Sequence, residues 1–308
     1  MYLFGFAIGL TLGSIIQVLF SRVSPNQFLP GIQKSFDALP KVLCWVEIQN
    51  YSFPLTRVIR LTWGRRCSKI VFLSQFSSEN EMIISHGYEK KRMNDNWNLL
   101  RSCWSRIAEL YLDKYDWFVK VNFGSFLIPE NLVFQLKQKG IHPESPAYFG
   151  GLVVDTNEPN QLKEHANGIG YGVSRGLLRI LFRSIQRTTV ANDTHSKLCP
   201  ELLTQSDDRK FAECLVEIRP ELGRVTSFSD VWGREAFLPY DPIIQLQLNF
   251  GQWKSMFWKG KDPKTTGSGI HCCSSRPVLF HLVDKPQIIP WTQYLEYLFQ
   301  VVLVDPRS

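Results

Sequence analysis

A fold of the α/β class with a mostly parallel sheet is predicted by two observations. Two apolar runs of strand type, Val42-Leu43-Cys44-Trp45-Val46 and Ile70-Val71-Phe72-Leu73, flank a helical segment from Pro54 to Trp63, and strand, helix, strand at that spacing is a βαβ unit. The alternation of strands with amphipathic helices then continues through the first half of the chain, the pattern that builds a sheet covered by helices.

The later elements follow in order. From Asn94 to Leu112, Leu100, Trp104, Ile107 and Tyr111 recur at helical spacing, so this is a helix whose aromatic residues belong to a core. Asp116 opens a strand, Trp117-Phe118-Val119-Lys120-Val121. A loop follows, and then a helix starting near Pro129, where proline's fixed φ suits a first turn. Ala147 to Val154 is a further strand, and helices are expected near Ser174–Arg187 and Asp207–Ile218. A Pro-, Gly- and aromatic-rich stretch from Gly233 to Cys273 reads as long structured loops, which commonly shape substrate pockets. No linker divides the region into two domains, and no internal repeat is evident.

The N-terminus points to a membrane. Met1 to Ser21 carries no charged side chain, and about 20 apolar residues suffice to cross a bilayer. Lacking a basic leading region and a small-residue cleavage site, residues 1–21 are expected to be an uncleaved signal-anchor, with a cleaved signal as the alternative. Arg22 lies on the C-terminal flank, so charge asymmetry does not fix orientation. Residues 22–40, with three prolines after Val23, read as a stem; residues 41–308 form the folded body. A lumenal place for that body is suggested by two acceptor patterns for N-glycosylation, Asn50-Tyr51-Ser52 and Asn192-Asp193-Thr194. Seven cysteines fit an oxidising compartment, and their spacing is not that of a zinc site.

Composition excludes other classes. With 44% hydrophobic residues the chain is not disordered. Its net charge of +7 comes from scattered Lys and Arg without a nucleic-acid-binding signature, so nucleic acid is not an expected partner.

In order along the chain stand Cys44-Trp45-Val46, Thr62-Trp63 with Arg66-Cys67, Asp116-Trp117-Phe118-Val119-Lys120, Ala147-Tyr148-Phe149-Gly150, Gly168 to Tyr171, Gly233-Arg234-Glu235, Cys272-Cys273-Ser274 and Phe280-His281. This series resembles the core 1 β1,3-galactosyltransferase family, which acts on O-linked N-acetylgalactosamine, together with its non-catalytic chaperone relative. The resemblance runs from about Lys41 to Gln300. It implies a GT-A fold in a single lumenal domain, a type II anchor, and residence in the Golgi or endoplasmic reticulum. It also implies the disulfides Cys44–Cys67, Cys199–Cys214 and Cys272–Cys273, leaving Cys103 as an odd thiol, either buried and inert or engaged between molecules.

The decisive departure follows the strand ending at Val121. Active members of the family that this sequence resembles carry three consecutive aspartates there; this chain has Asn122-Phe123-Gly124. A hard divalent cation bridging a diphosphate needs oxygen ligands, preferably carboxylates. Other positions of the pattern are kept. His281 matches a metal-binding histidine, and Asp207-Asp208 stands at the acidic pair that includes the expected general base, Asp208. Trp97, Asn122, Gly124 and Gly168 match positions near the nucleotide sugar, although Leu99 and Asn167 replace a lysine and a glycine. Two functions therefore stay open. One is a non-catalytic member of mucin-type O-glycan synthesis, a chaperone or oligomeric partner of an active galactosyltransferase, without cofactor. The other is an active β1,3-galactosyltransferase using UDP-galactose and Mn²⁺ at an atypical metal site.

Overall fold

Strand β1 (Val42–Glu47) is buried over its first five residues, as a strand covered on both faces must be. Its alternating side chains serve two cores. Val42, Cys44 and Val46 face one cluster, whereas Leu43 and Trp45 face the other. A computed structural model describes residues 40–48, 53–79, 82–88, 96–154, 164–190, 207–230, 232–247, 272–282 and 288–303. The expected anchor 1–21, the stem 22–40 apart from Pro40, Asn50, Asn192 and Cys199 lie outside the described residues. Among those that are described, no helix is long and apolar enough to cross a membrane.

After β1 come α1 (Phe53–Leu61), a 3-10 turn (Trp63–Arg66) and β2 (Lys69–Ser74), which pairs parallel to β1 and completes the expected βαβ unit. The disulfide Cys44–Cys67 ties the middle of β1 to the residue following the 3-10 turn. A short β3 (Ile83–Ser85) extends the sheet beyond β2. Helix α2 (Asn96–Tyr111) then crosses to β4 (Trp117–Val121), parallel to β1 on its other side. Next are β5 (Ser125–Leu127), α3 (Pro129–Gln138) with its proline in the first turn, and β6 (Tyr148–Val154). The eleven-residue β7 (Glu164–Ser174) leads into α4 (Arg175–Val190). The rest comprises α5 (Asp207–Ile218), the two-residue strands β8 (Val225–Thr226) and β9 (Phe237–Leu238), α6 (Pro242–Gln247), β10 (Leu279–His281) and α7 (Ile288–Leu303).

The main sheet has seven strands in the order β3-β2-β1-β4-β7-β6-β8, and β7 runs antiparallel to both its neighbours. The expected parallel sheet is thus correct for β3, β2, β1 and β4 and is interrupted at β7, which sequence reasoning did not recognise as a strand. A second sheet, β5-β10-β9, sits under the carboxyl end of β4.

Helices α2, α4 and α5 cover one face of the main sheet. Their core is aromatic: Trp104 stacks on Phe211, meets Trp45 edge-on, and lies beside Tyr171. Each such ring buries a large apolar area, so removing Trp104 would cost on the order of 3–5 kcal/mol. The other face packs against α1, α3 and the second sheet. There Glu296 on α7 lies buried between Arg65 and Arg66 and bonds to both guanidinium groups.

Candidate nucleotide-sugar site

The parallel strands β1 and β4 end beside a cavity of about 150 Å³ lined by Trp45, Glu47, Leu99, Cys103, Lys120 and Asn122, among others. An open α/β sheet binds its ligands at this end of its strands. Period-2 alternation places Lys120 here: Trp117, Val119 and Val121 go to the opposite core, while Phe118 and Lys120 face α2. Cys103 is buried, free of disulfide, and forms part of the wall. Burial, reinforced by the nearby Glu47 charge, pushes its thiol far above the usual range. Its burial in the α2 core favours the buried, inert reading of this thiol over a bridge between molecules.

The chain leaves β4 through a tight turn. The Asn122 N–H donates to the Ile169 carbonyl at 3.0 Å, the Ser125 N–H donates back to the Asn122 carbonyl at 2.9 Å, and the Gly124 N–H donates to Asn122 Oδ1 at 3.2 Å. The asparagine side chain therefore acts as an Asx-type brace for the turn. Phe123 packs against the core on the α1 and α3 side. A Cβ at Gly124 would lie 3.3 Å from both His281 Cε1 and the Leu282 carbonyl, so a side chain there makes these neighbours give by a few tenths of an ångström.

His281 closes the turn from β10, opposite Ser125 in the antiparallel register. Ser125 Oγ donates its one proton to the Ile169 carbonyl at 2.9 Å, so it can only accept at its 3.0 Å contact with His281 Nδ1. The imidazole proton thus sits on Nδ1, leaving the Nε2 lone pair open. Burial holds the ring's pKa below its ordinary value, in keeping with this neutral form.

Asp208 lies in the first turn of α5, where the helix dipole favours a carboxylate. It presses against the backbone of β7: a Cβ on Gly168 would come within 2.6 Å of Asp208 Cγ. Lys120 Nζ stands 3.9 Å from Asp208 Oδ1 and 5.2 Å from the centre of the Tyr171 ring, so this lysine links Asp208 to the cavity. The replaced glycine at Asn167 does not open the strand; Asn167 Oδ1 accepts from the Ile169 N–H instead.

Asn122, Gly124 and His281 thus meet around Ser125 and Ile169, and Gly168 and Asp208 meet beside Lys120. Trp97 is placed differently. It is buried in the α2 core, and the α2 residues that line the cavity are Asn96, Leu99, Leu100 and Cys103. Lys120 and Ser125 had no role assigned from sequence, since only strand register shows where they point. The disulfide Cys272–Cys273 is formed, and Cys214 is disulfide-bonded. Glu235 of the Gly-Arg-Glu stretch is buried, accepts from Ser227, and bridges to Cys273; it supports the fold next to the vicinal disulfide.

A divalent metal does not fit this donor set. A hard cation requires several anionic or carbonyl oxygens. The turn supplies one amide oxygen, already accepting from Gly124, and the neutral nitrogen of His281. Among the described residues, no three metal-ligating side chains come together.

The glycoprotein-N-acetylgalactosamine 3-beta-galactosyltransferase 1 of Xenopus laevis is 25% identical over 260 residues, spanning 84% of this chain and 67% of that protein. The chain is a distant relative of the core 1 β1,3-galactosyltransferases. No family model matches it. Among solved structures, a glycosyltransferase involved in glycosylation of the major capsid of PBCV-1 aligns over 84% of this chain and all of that one, with 9% identity and a TM-score of 0.40. The galactosyltransferase LgtC, in complex with donor and acceptor sugar analogs, aligns over 82% of this chain and 95% of that one, with 9% identity and a TM-score of 0.43. Superpositions this loose add nothing to the core 1 relationship.

Proposed function

We propose that this chain is a GT-A-type, galactosyltransferase-like protein of mucin-type O-glycan synthesis that does not itself transfer sugar, serving as a chaperone or oligomeric partner of an active galactosyltransferase. In this reading residues 1–21 anchor it as a type II protein of the Golgi or endoplasmic reticulum, with the body in the lumen. The observation that carries the non-catalytic part is the turn after β4. Where the chemistry calls for a carboxylate clamp on a metal and a diphosphate, Asn122 is bonded to Gly124, Phe123 is half-buried against the core at the cavity's edge, and Gly124 has no side chain. Metal and fixed charge at a leaving group are among the largest catalytic contributions, so losing the clamp should cost orders of magnitude in rate.

A second reading is favoured by the other half of the site. Asp208 and Lys120 stand together beside the cavity, and His281 keeps an open Nε2. There Asp208 would take the proton of an acceptor hydroxyl while UDP-galactose occupied the cavity; Mn²⁺ would need ligands that the turn does not offer. Titrating UDP into the purified protein with and without Mn²⁺ separates the two. Metal-independent or absent binding is expected, whereas metal-enhanced binding with chelator-sensitive galactose transfer would sink the non-catalytic reading. For the topology, glycosidase treatment should shift mobility, and protease added from the cytosolic side should spare the body.

A further inference from the structure

At the opposite end of β10 from His281, a second and larger cavity of about 450 Å³ opens between the C-terminal half of α3, the loop after β8, and the turn that follows the vicinal disulfide. Three observations mark it as a built site. First, Gln135 is 3% exposed yet lines the cavity, and no hydrogen bond to its carboxamide forms among the described residues. Its amide atoms are not among the fully buried, unpartnered ones, so they reach the cavity and are open to a ligand offering both a donor and an acceptor. Second, Trp232 and Phe134 are exposed aromatic residues on the lining. Third, the lining carries Lys139 and Arg276, neither of which pairs with a carboxylate among the described residues. Arg276 lies 4.2 Å from the centre of the Phe134 ring and is thereby held at the rim. The one carboxylate present, Asp230, is already bonded to Arg234 and to backbone N–H groups.

We propose that this cavity binds a carbohydrate residue bearing a carboxylate, at a site separate from the nucleotide-sugar cleft. Its volume lies within the range of small-molecule pockets. An aromatic ring suits the C–H face of a pyranose; the Gln135 amide and the Ser275 hydroxyl suit neighbouring sugar hydroxyls; Arg276 and Lys139 suit the carboxylate. An extended acidic peptide fits less well. The lining residues belong to a helix and to turns, so no strand edge offers main-chain pairing. The proposal is independent of whether the chain is catalytic.

The full-length protein in detergent micelles is titrated with a glucuronic acid oligosaccharide, with its neutral glucose counterpart, and with an acidic aromatic peptide, followed by tryptophan fluorescence and saturation transfer to the ligand. The acidic saccharide should bind about tenfold or more tighter than the neutral one, as one charge-assisted contact would give. Arg276→Gln and Trp232→Ala should each weaken that binding about tenfold, with the melting temperature and any UDP binding at the cleft unchanged. Gln135→Leu, which removes the hydrogen-bonding groups at similar volume, should weaken binding without loss of fold. Equal affinity for the two saccharides, indifference to both rim substitutions, absence of saturable binding, or tighter binding of the peptide would each overturn the assignment.

Discussion

The turn at Asn122–Ser125 and the contact between Gly168 and Asp208 lie on neighbouring strands of one sheet, and they have met different fates. At the turn, the backbone route is intact: Asn122 reaches Ile169, and His281 comes round from β10 to meet Ser125. Its side chains carry no carboxylate. At the second place a carboxylate still presses against a glycine backbone, with a lysine beside it, at the edge of a cavity. The difference teaches that frame and chemistry can part. A turn held by backbone bonds on both sides persists when its ligands are replaced, because hydrogen bonds of the main chain do not depend on them.

Restoring the lost chemistry is the most severe test of that contrast. Changing Asn122, Phe123 and Gly124 together to Asp should create metal-dependent UDP binding, against metal-independent or no binding in the unmodified protein. A carboxylate at position 124 would lie beside the imidazole, since even its Cβ would stand 3.3 Å from His281 Cε1, so the graft should add His281 to the ligand set. If the triple variant folds and calorimetry shows no effect of Mn²⁺ on UDP affinity, the frame has changed along with the ligands.

Next in size is the frame itself. Cys44–Cys67 closes a sequence separation of 23 residues, which the chain-entropy estimate values at about 3 kcal/mol. Because β1 is the central partner of both β2 and β4, Cys44→Ser should lower stability by about that amount and damage both regions equally. Denaturant midpoints of the oxidised parent and the variant measure it; no shift would mean that the sheet holds β1 without the crosslink.

Much of this frame was legible in the sequence, and the reasons for the failures are physical. Apolar periodicity located β1, β2, β4 and the helices α2 and α5 to within a few residues, because each buries a continuous face. Strand β7 was missed because Asn167-Gly168-Ile169-Gly170-Tyr171-Gly172 lacks the side chains that mark a strand. Its glycines answer to their neighbours instead: a Cβ at Gly170 would collide with Leu279, and one at Gly172 with Phe149. β5, β9 and β10 are two or three residues long, too short to show any period. As for the site, Asn122, Gly168, Asp208 and His281 were found through the ordered motifs. Ser125 and Lys120 gain meaning only from register, which places one under His281 and the other beside Asp208.

A smaller effect is expected at Gly168. Any Cβ there meets the Asp208 carboxylate within 2.6 Å, and α5 cannot retreat freely, since Phe211, Ala212 and Leu215 are fully buried behind it. Gly168→Ala should therefore cost about 1–3 kcal/mol, the usual penalty of overpacking. Adding Asp208→Gly should recover most of it. Thermal melts of the single and double variants decide; additive losses would show that Asp208 and Gly168 do not constrain each other.

The smallest effect separates what Asn122 does from what an aspartate there would do. Asn122 is exposed, and its Oδ1 accepts from the N–H of the buried Gly124 at 3.2 Å. Asn122→Ala removes that acceptor, so the loss should be about 1 kcal/mol, the net value of one hydrogen bond. Asn122→Asp keeps an oxygen in the same place and should leave stability nearly unchanged, because a carboxylate braces an Asx turn as well as a carboxamide does. Chemical denaturation of both variants reads the contrast directly. Should Asn122→Asp lose as much as Asn122→Ala, the turn has adapted to a neutral side chain, and the triple graft would then be expected to fail from strain rather than from want of ligands. Should it lose nothing, this turn can still carry a ligand at its first position, and the barrier to metal binding lies at Phe123 and Gly124.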